Sequence, residues 1–307
     1  MAVVATDPMI GLPRIRGSYR FEADLAKTTW FRAGGRADVL FRPADEDDLA
    51  FFMTNRPLDM PVTVLGVGSN LLVRDGGIPG VTIRLGRGFT DIAVKACDVT
   101  AGTGALDLNV AKVAAQAGVA GLEFLVGVPG TIGGAVRMNA GAYEHELKDV
   151  LVGARAVDPR GVVHELGPDH LGHNYRHSSV PEGWVFTACS IRGTDGAPGE
   201  ITARMEAIQR SRAASQPIRE RTGGSTFRNP MGRKAWELID AAGCRGLRRG
   251  AAMVSEQHCN FLINTGNASA TELEELGEDV RRRVFESQGV RLEWEIRRIG
   301  RRPGRTA

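Results

Sequence analysis

The sequence predicts an α+β fold, on three observations. Short β-branched segments separated by glycine fill the first two thirds of the chain, brief stretches of helical periodicity interrupt them, and amphipathic helices take over from about Glu200. The strand segments are residues 37–42, 62–65, 71–73, 81–85, 150–157, 162–166 and 185–191, each bounded by turn-forming residues. Residues 45–53 and 106–117 have helical spacing, and Gly118 provides a C-terminal stop for the second. Beyond residue 200 the helical segments are 201–215, ended by Pro217, and 234–242, closed by Gly243. A third, 271–288, has acids in its first turns, arginines later and Gly289 beyond, the order the helix dipole favours. Residues 290–299 alternate apolar and polar, as a half-exposed strand does.

The turn-rich stretch Asp195-Gly196-Ala197-Pro198-Gly199 stands just before the change of character and reads as a linker. The expected division is two β-rich lobes, 1–85 and 86–195, and a C-terminal α+β domain, 196–307. There is no internal repeat.

Composition narrows the function classes. The 307 residues include 39 glycines, nearly twice the ordinary share, so some part of the chain needs permissive backbone. The net charge is only +3, with 39 bases interleaved among 36 acids and no basic block, which argues against a nucleic-acid partner. The bases are 34 Arg and 5 Lys, a skew with functional meaning only where particular arginines meet oxyanions. No apolar run reaches the roughly 18 residues of a membrane span. The start MAVVATDPMIGLPRIRG lacks a basic segment, an apolar core and a cleavage site, so a cytoplasmic protein without a membrane partner is expected. Cys97, Cys189, Cys244 and Cys259 are scattered with no C-x-x-C pair, which predicts four buried reduced thiols and no metal site.

Five motifs stand out. Gly66-Val67-Gly68-Ser69-Asn70 follows the apolar run 62–65; such a turn exposes consecutive N–H groups to phosphate oxygens, or simply closes a hairpin. Leu71 stands where a dinucleotide fingerprint has its third glycine, and no helix follows, so a nicotinamide-binding Rossmann unit is disfavoured. The run from Gly127 to Ala142 (GVPGTIGGAVRMNAGA) has almost no bulky polar side chain, so its backbone suits a flat extended ligand, or tight internal packing. In Gly223-Gly224-Ser225-Thr226-Phe227 the glycines let a serine hydroxyl project to move a proton; Phe227 excludes the hydrolase pattern G-x-S-x-G, and an ordinary turn is the plainer reading. In Asn174-Tyr175-Arg176-His177 the guanidinium could clamp an oxyanion, though surface solvation is the default for any single arginine, and His177 is a lone histidine. In the last motif, Val290 to Gly300, alternation puts Glu293 and Glu295 on one face, and nothing in spacing makes either catalytic.

Taken in order from about residue 28 to 300, these motifs resemble the UDP-N-acetylenolpyruvoylglucosamine reductase family. The resemblance adds the segments TWFRAGG (29–35), AWELID (235–240), VSE (254–256), NFLIN (260–264) and the terminal LEWEI. It implies a p-cresol methylhydroxylase-like, two-lobed FAD-binding region with an α+β substrate domain that closes over a sugar nucleotide. By resemblance Gly66, Gly68, Ser69 and Asn70 bind the FAD pyrophosphate, and Gly127, Pro129, Gly130, Thr131, Gly133, Gly134 and Asn139 lie beside the flavin. The family reaction is ping-pong: NADPH reduces FAD and leaves, then UDP-N-acetylglucosamine enolpyruvate enters and is reduced to UDP-N-acetylmuramate, a peptidoglycan precursor. Hydride addition to the enolpyruvyl methylene drives negative charge onto the substrate carboxylate, which needs a positive or protonated partner. Arg176 and Glu295 match that role, Ser225 matches the proton donor to the neighbouring carbon, and Tyr175 and Asn229 match substrate contacts. Glu295 is preferred to Glu293 for its place before the terminal Ile.

Arg36, Gly223 and Ala252-Met253 depart from the commoner family pattern. Only 48 residues separate Arg176 from Ser225, too few for the extra loop of the longer subtype, so the resemblance is to the shorter, second one, and a monomer is expected. Two other readings stay open: an oxidase or dehydrogenase of the same superfamily on another substrate, against which GSTFRNP and LEWEI argue, and a non-catalytic nucleotide-binding module.

Overall fold

The computed structural model describes residues 11–304; residues 1–10, the start of the segment that lacks a targeting signal's features, and residues 305–307 lie outside the described residues. The first elements are β1 (Ser18–Asp24), β2 (Arg36–Arg42), α1 (Glu46–Asn55), β3 (Val62–Val64), β4 (Leu71–Val73) and β5 (Ile78–Ile83). Next come β6 (Ile92–Lys95), β7 (Asp98–Gly102), α2 (Asp107–Gln116), β8 (Val119–Ala120), α3 (Ile132–Met138), β9 (Gly141–Ala142) and β10 (His145–Glu146). They are followed by β11 (Leu151–Val157), β12 (Val163–Leu166), α4 (Pro168–Leu171), β13 (Val185–Arg192) and β14 (Thr194–Asp195). The last third holds α5 (Pro198–Ser215), α6 (Ala235–Ala241), β15 (Arg248–Arg249), β16 (Ala252–Val254), β17 (Leu262–Asn264), α7 (Ala270–Gln288) and β18 (Arg297–Ile299).

The chain divides into two compact units that are discontinuous in sequence: of the described residues, 11–21, 39–66 and 80–211 form unit 1, and 22–38, 67–79 and 212–304 form unit 2. This differs from the contiguous division expected at residues 86 and 196, because the chain passes from one unit to the other within β1, β2 and β5. The expected linker is also absent. Thr194 and Asp195 pair antiparallel with Ala120 and Val119, and Pro198 already opens α5.

Unit 1 is built on a five-stranded antiparallel sheet in the order β12-β11-β13-β7-β6. Strand alternation sends Val99 and Ala101 of β7 and Cys189 and Ile191 of β13 to one face, where they share a core with Val110, Ala111 and Ala114 of α2 and Ile132, Ala135 and Val136 of α3. The other face carries Thr100 and Ser190, whose hydroxyls lie 3.1 Å apart. A second core joins α1, through Leu49, Phe52 and Met53, to Val39 and Phe41 of β2 and to Val81 and Ile83 of β5. Helix α1 starts where Asp45 accepts the N–H of Asp48. Asp48 is itself buried, and its carboxylate takes the N–H groups of Arg16, Gly17 and Ala44 at 2.7–2.9 Å. Strands β3 and β5 are parallel, with Val62 opposite Val81 and Val64 opposite Ile83.

In unit 2, α7 packs on the three-stranded sheet β15-β16-β17 and on α6 through Leu273, Leu276, Val280 and Val284. Its ends behave as the charge pattern predicts: Ser269 and Glu272 form a capping box, and Gly289 closes the helix at φ 68°. The C-terminal alternation gives only the three-residue β18, parallel to β4; residues 290–296 are extended with one bridge, Trp294 to Phe227, yet Leu292 and Ile296 are buried as expected. Three of the four thiols are buried and all are free, whereas Cys97 is half-buried beside Asp195, contrary to expectation.

One carboxylate gathers the charges of unit 2. Glu274 on α7 is bound by Arg74 through two parallel hydrogen bonds of 2.9 and 3.0 Å, and also by Arg298 at 3.1 Å and Arg302 at 3.8 Å. The Arg74 guanidinium holds the Glu274 carboxyl below its ordinary range. Breaking a buried pair leaves a charge without its partner, so Glu274→Gln should cost about 3 kcal/mol of stability near neutral pH. Because the folded carboxyl is the more acidic, that stability is present above the unfolded pKa of about 4.3 and fades as pH falls through it. Urea unfolding from pH 7 to pH 3 should therefore show the difference between wild type and variant closing.

Candidate functional site

In unit 1 the two glycine clusters meet at Thr131. A Cβ placed on Gly66, where β3 ends, would touch only the Thr131 hydroxyl at 3.2 Å, and one on Gly134 would reach only that same hydroxyl at 4.0 Å. Both positions are exposed, so bare peptide is open to approach there without obstruction. Other glycines of the run serve internal packing: a Cβ on Gly127 would lie 2.8 Å from Ala142 Cβ, and one on Gly133 would lie 3.1 Å from Thr103. The segment expected as an open loop is partly helical, since Gly133 N–H reaches Thr103 O at 2.9 Å and Ile132 N–H reaches Ala105 O at 3.0 Å, seating α3 on the end of β7. The carbonyl of Gly130 accepts the Asp107 N–H at 3.2 Å, which holds the segment around Pro129 against the start of α2.

Asp107 is fully buried and neither carboxylate oxygen has a hydrogen-bond partner, so desolvation raises its pKa far above the usual carboxylate range. A group whose folded pKa is raised stabilises the fold below its unfolded pKa of about 3.9 and loses that contribution as pH rises. Asp107→Asn should therefore be the more stable form at neutral pH, by about 1–3 kcal/mol. The advantage should grow from pH 4 upward in thermal unfolding, and a pH-independent difference would contradict the burial argument.

Asn139, expected beside the flavin, has a structural task at the end of α3. It caps α3 in the left-handed conformation at φ 44°, fully buried. Its amide donates to Glu146 Oε2 and Asn174 O, and its Oδ1 accepts the Lys148 N–H at 2.9 Å, so the side chain is fully engaged by protein groups. Arg176 is also left-handed, at φ 52°, in the tight turn where Asn174 and His177 exchange backbone hydrogen bonds. Its guanidinium donates to Gly141 O at 3.0 Å and Asn139 O at 3.4 Å, lies 3.8 Å from Glu146 and stacks over the exposed Tyr175 ring at 5.1 Å. A left-handed backbone at a residue other than glycine is strain that the surrounding contacts must hold. Arg176, in the turn that follows α4, is therefore fastened to the segment that leaves α3.

Unit 2 brings together Gly68, Ser69, Asn70, Ser225, Asn229 and Glu295. Thr226, the residue after Ser225, accepts the Glu295 N–H at 2.8 Å and the Ile296 N–H at 3.4 Å through its carbonyl. Asn70 donates its amide to Glu295 O at 3.3 Å and accepts the Arg297 N–H at 3.1 Å, so the first glycine turn is tied to the strand that carries the glutamate. Gly224 is left-handed at φ 81°, and a Cβ there would meet only Ser69 O at 3.9 Å. Gly68 is buried at φ 69°, its Cβ direction closed by Thr29 at 2.9 Å, so only glycine fits that corner of the turn. Asn229 is exposed, and its Oδ1 accepts the Ala235 N–H at the start of α6.

Asn260 has the positioning role that sequence reading missed. Buried at 4% exposure, it accepts the Phe227 N–H at 3.0 Å and donates to Phe227 O at 2.8 Å, while its own carbonyl accepts the Thr226 N–H at 2.7 Å. The available signal was an asparagine at each end of the apolar run 260–264, since a buried amide must find partners. Gly223 faces Phe31: a Cβ would collide with its Cε2 and lie 3.0 Å from Cζ, and Phe31 is buried. Gly223→Ala should cost about 1–3 kcal/mol by overpacking unless the ring yields. A melting temperature equal to wild type would mean that it does.

Within unit 1, the open peptide at Gly66 and Gly134 beside the Thr131 hydroxyl leaves room for an extended ligand. Among the described residues no cluster of three or more His, Cys, Asp or Glu could hold a metal ion, and no helix is long and apolar enough to cross a membrane.

Comparison with known proteins agrees. Residues 37–167 match a family model described as FAD binding domain, and residues 216–299 match one described as UDP-N-acetylenolpyruvoylglucosamine reductase, C-terminal domain. Proteins named UDP-N-acetylenolpyruvoylglucosamine reductase from Paramagnetospirillum magneticum and Parvibaculum lavamentivorans are 61% and 59% identical, covering 94% and 99% of both chains. The crystal structure of the reductase of that name from Thermus caldophilus superposes with a TM-score of 0.81 at 36% identity, covering 94% of this chain and 100% of that one. The protein is thus an α+β flavoprotein, an FAD-dependent oxidoreductase. The chain belongs to the UDP-N-acetylenolpyruvoylglucosamine reductase family, which acts in peptidoglycan precursor synthesis.

Proposed function

We propose that the protein reduces UDP-N-acetylglucosamine enolpyruvate to UDP-N-acetylmuramate with NADPH as reductant, and that Ser225, Glu295 and Arg176 are its catalytic side chains. The observation that carries this reading is the junction at Thr226, which puts a serine hydroxyl and a carboxyl on two backbone segments joined by hydrogen bonds. Bound FAD would supply the two-electron chemistry, accepting hydride from NADPH and delivering it to the enolpyruvyl methylene carbon. Gly66, Gly68, Ser69 and Asn70 would hold its diphosphate, with Gly127, Pro129, Gly130, Thr131, Gly133, Gly134 and Asn139 beside the flavin, the packed glycines and the buried Asn139 acting by keeping that backbone close.

Addition of hydride leaves negative charge on the substrate carboxylate and a carbanionic centre beside it. Arg176 lowers the energy of that charge as a fixed cation, and Glu295 would have to donate a hydrogen bond to it or sit within a balanced network of charges. Ser225 gives its hydroxyl proton to the α-carbon and is reprotonated from water, which completes addition of two hydrogens across the double bond. Tyr175 and Asn229 contact the sugar nucleotide. The same reading makes the protein a cytoplasmic monomer of the shorter subtype, without membrane or nucleic-acid partners; sedimentation of the purified enzyme tests the monomer.

The deciding measurement separates the two half-reactions under anaerobic conditions. Ser225→Ala should be bleached by NADPH at the wild-type rate, whereas recovery of the flavin colour on adding the enolpyruvyl sugar nucleotide should slow about 100- to 10,000-fold, the range for loss of a positioned proton donor. Equal recovery rates would remove Ser225 from the mechanism.

A further inference from the structure

Within unit 1, the sheet face opposite α1 carries two guanidinium groups that the contacts described so far leave without a task. Alternation fixes which side chains share that face. Val81 and Ile83 of β5 and Val39 and Phe41 of β2 pack with α1, so Thr82, Arg84 and Arg42 point to the other side. The ends of the strands are level: the Arg84 N–H donates to Phe41 O at 2.9 Å, and the Leu65 N–H donates to Ile83 O at 2.8 Å. Arg42, Arg84 and Gly66 therefore mark the carboxyl ends of three adjacent strands, the edge where sheets of parallel strands bind ligands.

The charges there are not balanced by protein. Neither Arg42 nor Arg84 has a hydrogen bond or ion pair from its guanidinium among the described residues, although most described arginines of this chain have one. Arg84 is half-buried, and burial together with the neighbouring Arg42 charge pulls its pKa down. Two residues back along the same face, the Thr82 hydroxyl is buried and has no hydrogen-bond partner. Two like charges side by side, one partly desolvated, cost free energy unless an anion sits with them.

We propose that Arg84 and Arg42 bind a phosphate group of a nucleotide cofactor, beside the Gly66 peptide. The planar guanidinium fork suits phosphate oxygens, and the bare peptide at Gly66 lets a diphosphate approach closely. The inference rests on the flavoenzyme reading and extends it to residues outside every motif that carries the family resemblance. The phosphate belongs either to the FAD diphosphate or to NADPH, and the arms of the test tell them apart.

The probes are FAD and riboflavin titrated into the flavin-free protein, inorganic pyrophosphate in thermal unfolding, and NADPH in steady-state assays of the reloaded enzyme. For Arg84→Met the dissociation constant of FAD should rise about 10- to 100-fold, as for a lost charged hydrogen bond, with riboflavin binding unchanged and stabilisation by pyrophosphate lost. A rise confined to the KM for NADPH would support the site and assign it to the nicotinamide cofactor. Arg84→Lys should recover part of the affinity, and if Arg84→Met does not fold, Arg42→Gln and Arg84→Lys serve in its place. Wild-type FAD affinity, NADPH KM and pyrophosphate response in the folded Arg84→Met, Arg42→Gln double variant would overturn this assignment alone. Failure of the wild-type protein itself to bind FAD would overturn the flavoenzyme reading with it.

Discussion

The hydrogen bonds around Thr226 are the constraint on which the Ser225 segment of unit 2 depends. Its N–H is held by Asn260 and its carbonyl by Glu295 and Ile296, so a segment with no regular strand partner is nevertheless fixed on both edges. The Asn260 amide repeats the arrangement one residue later by pairing with both backbone groups of Phe227. Ser225 gains a defined direction from this without being in a helix or a strand. Packing completes the support: Phe227 and Trp294 stack at 5.1 Å, and Trp294 closes against α7 where Gly277 leaves no room for a side chain. A proton donor is useful only if its position is set before the reaction, and for Ser225, proposed in that role, the backbone sets it.

The glycine excess has two physical uses. At Gly66 and Gly134 the absent side chain leaves peptide groups open to a ligand, whereas at Gly127, Gly133, Gly223 and Gly277 it lets protein elements approach more closely than any Cβ permits. Composition cannot separate these uses, because both require the same missing atom. The arginine excess divides in the same way. Arg74 and Arg298 converge on Glu274, Arg176 is fastened to the carbonyls of the segment after α3, and Arg42 and Arg84 stand together without an acid.

Much of the fold was legible from periodicity. The helices α1, α2, α6 and α7 lie within a residue or two of their expected limits, since an apolar stripe with caps at both ends is a local signal. Legibility failed where pairing partners are distant. The alternation of residues 290–299 describes their burial correctly but not their hydrogen bonding, which is decided by β4, the Phe227 segment and Asn70. The stretch from Asp195 to Gly199 looks like a linker because turn residues collect there, yet Val119 and Ala120 pair with its start. Helix α3 was hidden by Gly133 and Gly134, residues with poor helix propensity, and forms because Thr103 and Ala105 hold its first turn.

The sequence by itself determined the α+β class, the amphipathic helices and, through the ordered coincidence of its motifs, the family and its flavin. It also named Ser225, Glu295 and Arg176, whose residue types suit proton donation and charge stabilisation. Only the tertiary structure decided that Asn139 is a helix cap, that Asn260 holds the serine segment, that Asp107 is a carboxyl without partners, and that Arg42 and Arg84 are neighbours. The reason is that local propensity and periodicity depend on residues a few positions apart. The partners of a buried polar group are chosen across tens or hundreds of positions, where hydrogen bonding and desolvation act on what the fold has brought into contact.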